Sequence, residues 1–346
     1  MGVCSCGELN RVFNIQMVEK NKLASHGRII NNNYQHFNTR KFAHQQTISQ
    51  MSIRVGYVPE HFSTPIQFAQ LHGFFQQNGL KVDLIAYPSG SGHMITSLNN
   101  NELDIAIGLT EAFVRGVADT TDVPYEIIST YVTSPLNWAV STGVNRDDIK
   151  GVASLENKKI GVSRIGSGSY VMSYVLALEQ QFKSNPPYSD WPICNTFAHL
   201  REAVNDKTCD AFMWEYFTTK KYYETPHKEL KMVGNIYTPW PSWVVVRNKT
   251  LTDQQTRSFM KALDQGIHYF KDHQEEAVEY IYKNLDYSES DAREWLSTVV
   301  FQLAGAKDAM KQTVDLLVVA GVLKHGQEPD ILKRNLKTGH CETWST

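Results

Sequence analysis

The chain has 346 residues, 42% of them hydrophobic, with 34 basic against 36 acidic side chains and a formal net charge of −2. That length supports two lobes with separate cores, the apolar content excludes disorder throughout, and the charge supplies no general field for nucleic acid. No apolar run approaches the ~18–20 residues of a membrane span. The five cysteines, Cys4, Cys6, Cys194, Cys209 and Cys341, are scattered and form no CxxC pair, so they read as free thiols in a reducing compartment. HExxH, GxSxG, Walker A and GxGxxG patterns are missing, which lowers the weight of hydrolase, kinase and dehydrogenase chemistry. No catalytic residue, metal or cofactor is expected.

Residues 1–50 stand apart. They hold six basic and two acidic side chains, +4, which leaves −6 for the rest (28 basic, 34 acidic). Asn, Gln and His crowd this stretch and no apolar period runs through it, so it reads as a disordered basic extension, with a mitochondrial presequence as the alternative. Without a secretory pattern the expected location is cytoplasmic. Gly2 with Cys4 and Cys6 hints at acylation, but position 6 holds Cys6 where the myristoylation pattern wants Ser or Thr.

From Ser52 onward strand and helix patterns alternate, which predicts an α/β architecture with largely parallel sheets. Residues 53–58 read as a strand, followed by the turn Pro59-Glu60-His61-Phe62-Ser63. Thr64-Pro65-Ile66-Gln67 predicts a helix with Thr64 as N-cap, burying Phe68, Leu71 and Phe75 on one face and ending at Gly79. A strand over 82–87 leads to Pro88-Ser89-Gly90-Ser91-Gly92-His93 and a helix with Met94, Ile95 and Leu98. A third strand, 104–109, runs through Thr110-Glu111 into another helix, and 125–132 and 138–144 read as further strands. The plan then restarts: a strand over 159–163, the loop Arg164-Ile165-Gly166-Ser167-Gly168-Ser169, and a helix with Val171, Val175, Leu178 and Phe182 on one face. Residues 210–214 form a strand that exits through Glu215-Tyr216, and strands at 232–236 and 243–247 follow. Everything beyond Thr252 reads as helical, opening on the cap Thr252-x-x-Gln255.

Two correspondences point to a site. Gly90-Ser91-Gly92 and Gly166-Ser167-Gly168 each lie between a strand and a helix start, and Glu111 and Glu215 each stand just past a strand end. Either tripeptide alone is an ordinary turn; two in equivalent places suggest one strand–loop–helix plan used once per lobe. Ligands in open α/β sheets lie outside the carboxyl ends of the strands, where glycine turns bring backbone N–H groups close and helix N-termini favour negative charge. Phe62, Trp138, Trp214, Tyr216, Trp240 and Trp243 fall at strand ends or connecting segments, where rings serve either as core or as stacking surface. Trp240-Pro241-Ser242-Trp243 reads as a binding edge or hinge. Glu111 and Glu215 offer acceptors for an amine or amidine-like group, and His61 and His93 offer donors without metal-type spacing.

These residues carry a resemblance. Val55-Gly56-Tyr57-Val58-Pro59, Gly79-Leu80-Lys81-Val82, residues 103–108 and residues 155–162 resemble the type 2 periplasmic-binding-protein family, in its nitrate, sulfonate and thiamine-pyrimidine-precursor branch. Residues 59–65, 87–93 and 212–218 look like an intracellular eukaryotic, largely fungal, subfamily. The resemblance implies a Venus-flytrap molecule: lobe 1 from 51–142 and 244–340 with the C-terminal helices, lobe 2 from 143–243, and crossings near 141–144 and 241–244. It also implies a small polar ligand, such as a thiamine pyrimidine precursor or a sulfonate, held in the cleft. The contacts expected are Glu60, His61, Phe62, Ser63, Ser89, Gly90, Ser91, Gly92, His93, Thr110, Glu111, Trp138, Ile165, Gly166, Ser167, Gly168, Ser169, Trp214, Glu215, Tyr216, Trp240 and Trp243. The alternatives are a biosynthetic enzyme of the thiamine-pyrimidine-synthase type, working through His61, His93 or Glu111, and a scaffold that binds nothing. The chain lacks the cysteine-rich cluster of those synthases.

Overall fold

The computed structural model describes residues 51–119 and 122–326; the expectations placed on residues 1–50 and on Cys341 lie outside the described residues. Chain order begins with β1 (Met51–Tyr57), α1 (Thr64–Leu71), α2 (Phe74–Gln77), β2 (Leu80–Ala86), α3 (Ser91–Asn99), β3 (Ile105–Leu109), α4 (Thr110–Ala118) and β4 (Tyr125–Val132). It continues with β5 (Asn137–Gly143), β6 (Ile160–Gly161), α5 (Gly168–Glu179), α6 (Phe197–Asn205), β7 (Ala211–Glu215), α7 (Tyr216–Lys220), β8 (Leu230–Tyr237) and β9 (Trp243–Asn248). The helices α8 (Asp253–Asp272), α9 (Gln274–Asn284), α10 (Glu289–Leu296) and α11 (Lys307–Val319) close it.

The strands form two sheets, one per lobe. The first has the order β2-β1-β3-β9-β4 and the second β6-β7-β5-β8. β1, β2 and β3 run parallel because helices carry the chain back between them. β9, returning from the second lobe, lies antiparallel between β3 and β4. In the second sheet β5 lies antiparallel to both β7 and β8. The chain therefore passes between sheets at residues 133–136 and 238–242, and the two passages are bonded together. The Thr238 hydroxyl accepts from Leu136 N–H at 2.9 Å, Thr238 N–H donates to the Leu136 carbonyl at 3.0 Å, and the Ser242 hydroxyl donates to the Ser134 carbonyl at 2.7 Å.

Several local expectations are corrected. The first passage precedes the expected 141–144, because residues 137–143 already pair with β8 and cannot serve as linker. A helical turn at His61–Ser63 leads into α1, so Thr64 is its first residue; the Thr64 hydroxyl donates to the His61 carbonyl at 2.8 Å instead of capping Gln67. Gly73, with φ of +72°, breaks the expected helix, and Leu71 is left 63% exposed while Phe68 and Phe75 are buried. Leu178 likewise faces outward on α5. The strand expected over 159–163 shrinks to Ile160–Gly161, its flanks Lys159 and Val162 bridging instead to Asp190 and Ile193 of the proline-rich loop. Beyond Thr252 the chain is not helical throughout, since Phe301 bridges back to Val132.

The core forms where the periodicity places it. Ile53, Val55, Ile105 and Ile107 are buried in the first sheet, and α8 lays Phe259, Leu263, Ile267 and Phe270 inward. Thr252 and Gln255 form a reciprocal capping box at the start of α8. Cys194 and Cys209 are buried free thiols in the second lobe.

Candidate functional site

Strand ends from both lobes converge. β1 runs out through Val58 to Glu60, β2 through Ser89 and Gly90 to Ser91 at the start of α3, and β3 ends on Leu109. From the other lobe come Ser163 beyond β6, Ser167-Gly168-Ser169 at the start of α5, and Trp214-Glu215 closing β7. Sheet register supplies two more walls: Trp138 pairs with Glu215 across β5 and β7, and Trp243 pairs with Leu109 across β9 and β3. With Leu136 from the first passage, these residues line one cavity of about 450 Å³, its mouth and the open solvent there included. Gly90 and Gly166 hold φ of +75° and +82°, which turns each chain sharply enough to aim the following helix start inward.

Hydroxyls brace these turns. Ser91 accepts from Leu109 N–H at 2.9 Å, Ser167 accepts from Tyr170 N–H at 3.3 Å, and Ser167 and Ser169 share a bond at 3.0 Å. Gly168 sits where the walls meet. A Cβ there would lie 2.5 Å from Leu109 Cδ1, 3.0 Å from Glu111 Oε1 and 3.1 Å from the Trp138 ring.

The cavity is acidic. Glu60 Oε1 accepts from the Trp214 indole at 3.2 Å. Burial pushes the Glu60 carboxyl up to about 8 and the nearby Glu215 charge adds to the rise, against the Trp214 bond. Glu215 Oε2 accepts from the backbone N–H and the hydroxyl of Thr218 at 2.7 and 2.9 Å, while its Oε1 lies 3.7 Å from His61 Nε2. Among the described residues, no lysine, arginine or histidine lines the cavity. A neighbouring recess of about 560 Å³ shares Val58, Glu60 and Trp214 with it.

Of the expected contacts, Glu60, Ser89, Gly90, Ser91, Trp138, Ser167, Gly168, Ser169, Trp214, Glu215 and Trp243 line this cavity; the others do not. His61 is fully buried behind it, stacked on Tyr287 at 4.5 Å with Trp295 at 4.2 Å, and neither ring nitrogen has a hydrogen-bond partner among the described residues. Phe62 stacks on Trp243 at 5.0 Å, and the Ser63 hydroxyl donates to the Glu60 carbonyl at 2.7 Å. His93 packs edge-on against Tyr87. Gly92 lies against Arg164, Gly166 lies against Arg115, and Ile165 faces solvent, 53% exposed. Tyr216 lines another recess with Phe62 and Trp295, one that shares Leu136 and Glu215 with the cavity. Thr110, Glu111 and Trp240 tie α4 to the second passage: the Thr110 hydroxyl donates to the Pro241 carbonyl at 2.5 Å, and the Trp240 indole donates to Glu111 Oε2 at 3.0 Å. Burial pushes the Glu111 carboxyl up to about 7, although its own backbone N–H and Trp240 act in the opposite direction. Sequence reasoning missed Val58, Leu109, Leu136 and Ser163. Each follows or closes a strand or lies in a passage, so strand-end position was the signal that could have found them.

Two lobes closing strand ends and helix starts around an interlobe cavity define a periplasmic-binding-protein fold. Two family models match, one described as Ca3427-like PBP over residues 138–236 and one as NMT1-like over residues 46–177. The solved structure of the Candida albicans CA3427 gene product, which defines a family of proteins with this generic fold, is 45% identical to the chain, with a TM-score of 0.77 over 83% of this chain and 96% of that one. At that identity and coverage, the chain belongs to the CA3427 family. A putative thiamine biosynthesis protein of Haemophilus influenzae is 25% identical over 228 residues, 63% of this chain and 68% of its own length. The fold is shared with more distant structures. The nitrate-binding protein NrtA of Synechocystis PCC 6803 is 11% identical with a TM-score of 0.66, covering 85% of this chain and 88% of that one. The alkanesulfonate-binding protein SsuA of Xanthomonas axonopodis pv. citri, bound to MOPS, is 15% identical with a TM-score of 0.63, covering 79% and 94%. No helix among the described residues is long and apolar enough to cross a membrane.

Proposed function

We propose that the protein binds a small polar molecule between its lobes and closes on it. One observation carries this reading: Ser89-Gly90-Ser91 of one lobe and Ser167-Gly168-Ser169 of the other line the same cavity, with the carboxylates Glu60 and Glu215 between Trp138, Trp214 and Trp243. A ligand there touches both lobes at once, so binding energy is available for closure only when they come together. The fold neighbours named for nitrate and alkanesulfonate binding support a solute-binding role. The Haemophilus relative's name brings a thiamine pyrimidine precursor into the set of ligands to try. Binding is favoured over catalysis because His61, the histidine nearest the carboxylates, is sealed behind the wall among Phe62, Tyr287 and Trp295, out of reach of a substrate in the cavity.

A thermal-shift screen of small metabolites tests it. A ligand held at 100 times its Kd adds about 2.7 kcal/mol to stability, and small-angle scattering should then report a more compact particle. Silence across amines, anions and vitamin precursors would overturn the reading.

A further inference from the structure

We propose that the interlobe cavity selects a small organic cation that carries N–H donors, an amine or an amidine, over a free anion. The inference rests on the ligand-site reading above and names the chemistry of its occupant. Among the described residues, Glu60 and Glu215 are the only ionisable side chains in the cavity lining. Each has an oxygen to spare. Glu215 Oε2 is taken by Thr218, but Oε1 has only His61 Nε2 at 3.7 Å, too far for a hydrogen bond. Glu60 receives a single indole N–H at 3.2 Å, from Trp214. Glu60, whose ionisation the nearby Glu215 charge makes more costly, faces the same void as Glu215, and a cation placed between them relieves that cost.

A third carboxylate deepens the negative field. Glu111 is fully buried directly behind Gly168, and its Oε1 has no hydrogen-bond partner among the described residues. The apolar walls fit the same occupant, since indole faces attract cations. Trp214 stacks on Phe197 and Trp243 on Phe62, and Trp138 joins them in the lining. An anion would find the starts of α3 and α5, about half a charge each, but no basic side chain in the lining. The aliphatic stems of Arg164 and Arg115 lie against Gly92 and Gly166, with Arg115 paired to Asp119, and Lys221, which lines the neighbouring recess, is paired with Asp286.

The test is calorimetric titration of the full chain at pH 8 with five probes of one shape: benzylamine, benzamidine, benzyltrimethylammonium, benzyl alcohol and benzenesulfonate. Benzylamine and benzamidine should bind at least tenfold more tightly than the alcohol and the sulfonate, and the trimethylated cation, which lacks N–H donors, should fall between. Glu60→Gln and Glu215→Gln should each weaken amine binding at least tenfold. Circular dichroism checks that both variants fold, and Glu60→Gln, whose side chain braces no backbone, decides the matter alone should Glu215→Gln unfold. Amine binding that both variants keep at full strength overturns the inference. So does benzenesulfonate binding more tightly than the amines; if Gly168→Ala abolishes that sulfonate binding, the interlobe site survives and only its charge preference is wrong. Silence from every probe together with silence in the metabolite screen brings down the ligand-site reading itself.

Discussion

Replacing Glu111 by Gln tests the electrostatics of the cleft without adding or removing volume. In the folded protein the Glu111 carboxyl titrates near 7 because it is fully buried, while in the unfolded chain it titrates near 4.5. A carboxyl whose pKa is raised by folding contributes its full stability below the unfolded value and loses it as pH climbs through the folded one. The loss runs at up to ~1.4 kcal/mol per pH unit, or about 3 kcal/mol in all, less where the carboxylate draws in water. A glutamine at this position never ionises. Its amide still accepts from Trp240, and the buried N–H₂ left beside Gly168 imposes a cost that does not vary with pH. The readout is therefore the difference between wild type and E111Q in urea unfolding at pH 5 and at pH 8. E111Q should gain about 1–3 kcal/mol on wild type between the two. A stability difference that stays constant from pH 5 to pH 8 would refute the reasoning, whatever its size.

Gly168→Ala places a methyl within 2.5 Å of Leu109 and 3.1 Å of Trp138, so the variant should scatter as a larger particle and lose ligand-induced compaction; unchanged scattering and binding would show the walls have room to give. His61→Phe exchanges two buried, unpartnered nitrogens for a ring of similar shape among Phe62, Tyr287 and Trp295. It should stabilise by about 1–2 kcal/mol and leave binding intact, whereas a lost activity or affinity would put His61 back among the working residues. Thr252→Ala removes the capping box of α8 and should cost about 1 kcal/mol in urea unfolding; a neutral result would mean that packing alone sets that helix start. Lys220→Met removes the bonds from α7 to Asp291 and Glu294 of α10, at 2.6 and 2.9 Å, and should shift free protein toward the open, larger form in scattering.

The turn chemistry was readable from the residues. Glycine and serine between a strand and a helix leave few conformations, and two residues of each copy, Gly90-Ser91 and Ser167-Gly168, line the cavity, as do the strand-exit Glu60, Trp214 and Glu215. What escaped depends on contacts distant in sequence. Glu111 matches Glu215 in local pattern, yet the Trp240 indole captures it as the second passage folds over α4. His61 resembles a ligand donor until α9 and α10 are in place, because Tyr287 and Trp295, which seal it, come more than two hundred residues later. Leu71 fits a helical stripe, but Gly73 ends the helix before that stripe is covered. The first passage eluded pattern reading for a similar reason: residues 137–143 look like any strand, and only pairing with β7 and β8 tells which sheet they join.

A crystal structure grown with benzamidine is the decisive measurement. The amidine should be seated between Glu60 and Glu215, against the indoles, in contact with Ser89-Gly90-Ser91 of one lobe and Ser167-Gly168-Ser169 of the other. An amidine bound on an outer surface, or held by one lobe alone with the cavity untouched, would contradict that placement.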